Sequence, residues 1–67
     1  MIIRFYDEEN IYGMIDTEED PKKIEELLEE YKAIDEYYDI DSFLEYLKNK
    51  GVKFTVIPAE PEYDIYF

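Results

Sequence analysis

Asp20-Pro21-Lys22-Lys23-Ile24-Glu25-Glu26-Leu27-Leu28-Glu29-Glu30-Tyr31 is the stretch on which the fold turns. Asp20 suits an N-cap, because its carboxylate accepts from the unpaired amides of a first turn. Pro21 suits the first helical position, where its missing N–H costs nothing. Ile24, Leu27, Leu28 and Tyr31 recur at i, i+3, i+4 and i+7 as one apolar stripe, with Ile34 at its end. Glu25, Glu26, Glu29 and Glu30 fall largely outside that stripe. Lys22 and Glu26 form an i,i+4 pair worth only about 0.2–0.5 kcal/mol. The helix is predicted to end near Asp35.

Upstream of this helix the chain reads as two strands. In residues 2–6 Ile3 and Phe5 share one face and Ile2, Arg4 and Tyr6 the other. Asp7-Glu8-Glu9-Asn10 is a polar turn, and residues 11–15 are the hairpin partner. Gly13 within that partner points to a bulge or a close backbone approach. Downstream, Asp35-Glu36-Tyr37-Tyr38 is an acidic connector to a second helix start at Asp39 or Asp41. Phe43, Leu44 and Leu47 form its buried stripe, with Ile40 or Tyr46 at the edge, and it runs to about Asn49. Lys48 and Lys50 suit the negative end of the helix dipole, and Gly51 suits the C′ position. Residues 52–57 alternate as a half-buried strand, Pro58-Ala59-Glu60-Pro61 is a loop, and residues 63–67 place Tyr63, Ile65 and Phe67 on one face. The expected fold is α+β in two layers, in the order β-β-α-α-β-β. Two β-hairpins, joined in one antiparallel four-stranded sheet, pack against two central helices, since an isolated hairpin is marginal.

All 67 residues belong to one small acidic domain, with 19 acids against 7 bases, a net charge of −12 and no His, Cys or Trp. A chain this short buries only about 60% of its unfolded surface, and no disulfide or Cys–His metal site staples it. Its 46% hydrophobic content separates it from disordered sequences. The N-terminus lacks a cationic leader and no stretch reaches the roughly 18 apolar residues of a membrane span. The bias toward Ile, Tyr, Lys and Glu suggests an AT-rich genome, such as that of a low-GC bacterium or its phage. The expected setting is the cytoplasm of a bacterium or of a phage-infected host.

Several chemistries are poorly supported. Without Cys or His, Ser42, Thr17 and Thr55 have no usual base to activate them. Two adjacent carboxylates carry little information among nineteen. Asp39 and Asp41 imitate a calcium loop, but its central Gly is missing and Phe43 and Leu44 stand where it would turn, so both read as helix caps. Gly13 and Gly51 stand alone, without a phosphate-binding loop. No catalytic, cofactor or metal residue is assigned, and no enzymatic activity is expected.

The charge pattern remains. Nine acids and three lysines lie between Glu18 and Glu36. As a helix that stretch would span about 28 Å, giving one acid per about 3 Å against one phosphate per about 3.4 Å of a single DNA strand. Asp7, Glu8, Glu9, Glu60 and Glu62 would add to it if their two turns face the same way. In one reading this is the solvated face of an acidic protein. In the other it is shaped to fill a basic groove. A net charge of −12 exceeds the magnitude of about 2–8 that serves solubility, and it opposes compactness by self-repulsion. Direct binding of nucleic acid or anionic lipid is unfavourable. Tyr12, Tyr37, Tyr38, Tyr46, Tyr63 and Tyr66 exceed what so small a core can fully bury, and Tyr is enriched at protein interfaces.

Small size, strong acidity and many tyrosines together resemble phage-encoded inhibitors, including DNA mimics and anti-CRISPR proteins. The resemblance is one of composition and covers no diagnostic motif, so no residue roles carry over. The expected function is a non-enzymatic acidic binding protein that blocks a basic, nucleic-acid-binding surface of a partner protein. Glu25, Glu26, Glu29 and Glu30 would supply the charge, with Asp35, Glu36, Tyr37 and Tyr38 at its end. The alternative is a structural or accessory domain that self-associates as a homodimer, its acidity serving solubility.

Overall fold

The computed structural model describes residues 1–34 and 39–67. Both helices begin, and α2 also ends, as their local chemistry dictates. The Asp20 carboxylate accepts from Lys22 N–H at 2.9 Å, and α1 runs from Pro21 to Ile34. The Asp39 carboxylate accepts from Ser42 N–H at 2.8 Å, and α2 runs from Ile40 to Asn49. Asp39 is therefore a cap, satisfying one of the first-turn donors a helix cannot pair itself. At the other end of α2, Gly51 adopts φ +83°, the left-handed region open to glycine. Its N–H reaches Lys48 O, and Val52 N–H reaches Leu47 O, both at 3.0 Å. That is a Schellman closure, with buried Val52 completing the apolar contact.

The strands are β1 (Ile2–Tyr6), β2 (Ile11–Thr17), β3 (Phe54–Val56) and β4 (Tyr63–Tyr66). They form one four-stranded sheet in the order β3-β2-β1-β4. The α+β class, the element order and the single sheet match the expectation from sequence. The first hairpin does too: β1 and β2 pair antiparallel, with the register shifting between Phe5 and Tyr6 opposite Tyr12 and Gly13.

The second pair of strands differs. β3 pairs antiparallel with β2, whereas β4 pairs parallel with β1, so β3 and β4 hold opposite edges and make no hairpin. Val56, Ile15, Ile3 and Tyr63 stand on one cross-strand row. Segment 57–62 must then span three strand spacings, about 14 Å at 4.8 Å each. Six residues reach about 20 Å when extended, so the Pro58–Pro61 loop is long enough to carry the chain to the far edge. A reciprocal pair fixes its arrival: Glu62 N–H donates to Ile2 O at 2.8 Å, and Ile2 N–H donates to the Glu62 carboxylate at 3.0 Å.

The helices cover one face of the sheet. Ile3 and Phe5 of β1, Ile15 of β2, and Ile65 and Phe67 at β4 meet Ile24, Leu27, Leu28 and Tyr31 of α1 and Phe43 and Leu47 of α2. At the centre Phe43 lies 5.7 Å from Phe5, 6.0 Å from Phe67 and 5.5 Å from Tyr31, ring centre to ring centre. One residue of the expected α1 stripe and one of the half-buried third strand lie open. Ile34, the last residue of α1, is 73% exposed, and Val56 is 62% exposed at the end of a three-residue edge strand. Leu44 is half-buried at the margin of the core.

Candidate functional site

α1 lies beside β4, and the two leave a groove between them. Leu28 and Ile65, both buried, form its floor. Glu25, Glu26 and Glu29 of α1 stand along one wall, and Tyr6, Asp64 and Tyr66 of the sheet stand along the other. Lys22 and Lys32 also line it, so its rim carries four carboxylates against two lysines.

Three of the four α1 glutamates named from the sequence therefore share one surface. Glu30 does not. It turns toward α2, where its carboxylate accepts from the Tyr46 hydroxyl at 3.4 Å. Asp35, Glu36, Tyr37 and Tyr38 lie outside the described residues. The helix itself is also shorter than the acidic stretch read as one. Between Pro21 and Ile34 four glutamates meet three lysines, and Glu18, Glu19 and Asp20 precede the first turn. α1 alone therefore does not reproduce the charge density of a phosphate strand.

The rest of the anionic surface comes from elements distant in sequence. Because β1 and β4 run parallel, the Asp7-Glu8-Glu9 turn after β1 stands beside the end of β4. Tyr66 is 52% exposed there, its ring edge-on to Tyr6 at 5.6 Å. The negative charge of Glu8, then burial and the charge of Asp7, hold the Tyr66 phenol above its ordinary 10.0. Tyr66 thus joins the turn acids to the α1 acids. Glu60 and Glu62 precede β4 at the opposite end of the sheet, so the two turns do not face the same way.

Tyrosine hydroxyls fix several of these carboxylates. Tyr63 donates to Glu25 at 2.8 Å, Tyr12 donates to Asp7, and Tyr46 donates to Glu30. The Asp7 carboxylate also accepts the amides of Glu9 and Asn10 at 2.8 and 2.7 Å. The Tyr12 bond first, then those two amides, hold the Asp7 carboxyl below its ordinary 3.8. A neutral phenol differs from a lysine in this role, because it orders a carboxylate without cancelling its charge. Asp64 is neutralised instead. Arg4, its register partner on β1, grips it with two bonds at 2.8 and 3.1 Å.

Tyr6 and Asp64 were not anticipated from the sequence, the 7–9 turn entered only on the condition that it face the same way as Glu60 and Glu62, and Tyr66 entered only as one of six tyrosines in excess of the core. The alternation of Tyr63-Asp64-Ile65-Tyr66-Phe67 already sends Asp64 and Tyr66 to the face opposite Ile65. Nothing local says that β4 is an edge strand beside α1, where these side chains share a groove with the α1 glutamates. Among the described residues no three ligating side chains are grouped to hold a metal ion, and no helix is long and apolar enough to cross a membrane. No family model, characterised protein or solved structure matches the chain.

Proposed function

We propose that this protein is a non-enzymatic inhibitor that occupies a basic, nucleic-acid-binding surface of a partner protein, in the manner of a DNA mimic or another phage anti-defence protein. One observation carries the reading: Glu25, Glu26 and Glu29 of α1 line one groove with Tyr6 and Tyr66, and the same two tyrosines border the acids of the first turn. Glu25 and Asp7 are ordered by phenols that leave their charge intact. Prefixed anionic groups lose little freedom on binding, which lowers the cost of association. Their field also steers a basic partner toward them and weakens as salt screens it.

The test presents the immobilised protein to a panel of purified bacterial nucleic-acid-binding proteins at low and high salt. A retained protein that elutes with salt and loses its own duplex DNA binding in the presence of this chain is the expected result. Retention that ignores salt, or a partner that holds DNA and this chain together, would contradict the proposal.

A further inference from the structure

We propose that the open edge of β4 accepts an extended lysine- and arginine-bearing segment of the partner as a fifth strand, seated in the groove against α1. The inference rests on the reading of this surface as a site for a basic partner, and it names the element that enters.

The backbone supplies the first part. β4 is an edge strand, and among the described residues no strand pairs with its outer side. Arg4 stands opposite Asp64, and Phe67 N–H donates to Tyr6 O at 2.7 Å. Alternate residues of a parallel ladder turn their amides toward the neighbouring strand. Ile65 and Phe67 therefore face β1, and Asp64 and Tyr66 turn their N–H and C=O groups outward. Such a row of unpaired groups is a template for another strand.

The walls supply the second part. The groove holds about 670 Å³, within the range of about 300–1,000 Å³ for small-molecule clefts. Only Leu28 and Ile65 give it an apolar floor, and its rim is charged, which suits an extended chain better than a compact apolar ligand. Side chains alternate along an added strand. One set would rise against Glu25, Glu26 and Glu29. The other would lie over Tyr6 and Tyr66, where a guanidinium stacks favourably. Charge also decides between occupants. A second copy pairing through the same edge would bring its own Glu25, Glu26 and Glu29 into the groove region, whereas a basic segment finds three carboxylates that no arginine already holds.

The experiment uses the whole protein, isotopically labelled, and a capped octapeptide of alternating lysine and threonine. Two further versions of the peptide are N-methylated at every second amide, one in each phase. At about 50 mM salt, where screening is weak, saturation with the parent peptide is expected to slow exchange of the Asp64 and Tyr66 amides by about tenfold or more. One methylated phase should bind about tenfold or more weakly, and the other should bind like the parent, because an edge pairs with only one side of a strand. If both phases bind like the parent and those amides exchange unchanged, strand addition is overturned while the basic-partner reading stands. If no version binds even at low salt, both fall. If the amides of Asp64 and Tyr66 are already protected in a peptide-free dimer, the edge belongs to a second copy and the proposal is overturned.

Discussion

Replacing Phe43 with alanine tests the layer arrangement on which the groove depends. Phe43 is fully buried, and its ring is the one point where α2 touches the rings of Phe5, Phe67 and Tyr31 together. Truncating a buried Phe to Ala costs about 3–5 kcal/mol, the lost transfer energy plus the cavity left behind. At roughly 0.05–0.15 kcal/mol per residue, a chain of this length has about 3–10 kcal/mol in total. The variant should therefore lose between a third and all of its stability. Phe43→Leu keeps most of the volume and should cost about 1–2 kcal/mol. Urea unfolding followed by circular dichroism reads both. With a slope of about 1 kcal/mol per molar, the midpoint should fall by about 3–5 M for alanine and 1–2 M for leucine. An alanine variant that moves by less than about 1 M would mean that the ring does not join the two helices to the sheet.

Asp39→Ala should cost about 0.5–2 kcal/mol and Asp39→Asn much less, since Asn caps equally well; equal losses in urea unfolding would remove the capping role. The phenols of Tyr12, Tyr63 and Tyr66 are raised above 10.0, the first two chiefly by hydrogen bonds to Asp7 and Glu25 and the third chiefly by the charge of Glu8. The folded chain thus holds these protons more tightly than the unfolded chain, so their contribution is complete below pH 10 and is lost as pH rises through their folded values. Absorbance titration should show Tyr12, Tyr63 and Tyr66, identified by comparison with their Phe variants, ionising later in the native protein than in urea, and ionisation of these three at the same pH in both would contradict this. Asp7 is shifted the opposite way, so the stability gap between the natural chain and Tyr12→Phe should persist above pH 4 and close as pH falls through the lowered Asp7 value. A gap that stays constant with acid would rule out the Tyr12–Asp7 bond as its source.

Most of the local structure was legible because it is encoded locally. Asp20-Pro21, Asp39 and Gly51 each act within a few residues of themselves, and the spacing of Ile24, Leu27, Leu28 and Tyr31 is a property of one helix. The pairing of β4 was not legible. Its alternation fixes which side chains face the core but is silent on which strand lies beside it or in which direction, and the Pro58–Pro61 loop reads as a turn although it spans the sheet. The site shares that limit. Glu25, Glu26 and Glu29 are close in sequence and were found together. Glu30, one residue further on, rotates about 100° around a helix of 3.6 residues per turn and leaves the groove. Tyr66 and Glu8 join the surface only because β4 lies parallel to β1, a long-range fact.

The most direct test compares two variants of equal charge. Glu26→Lys with Glu29→Lys and Glu18→Lys with Glu45→Lys each raise the net charge from −12 by four, to −8. The first pair lines the groove, whereas Glu18 and Glu45 lie away from it. Association with the lysine–threonine octapeptide is measured by stopped flow at low salt. If the groove is the binding surface, its variant should associate about tenfold or more slowly, and the distant variant should change by less than about threefold. Equal slowing in both would show that the peptide senses only the overall charge of the molecule, and no particular face of it.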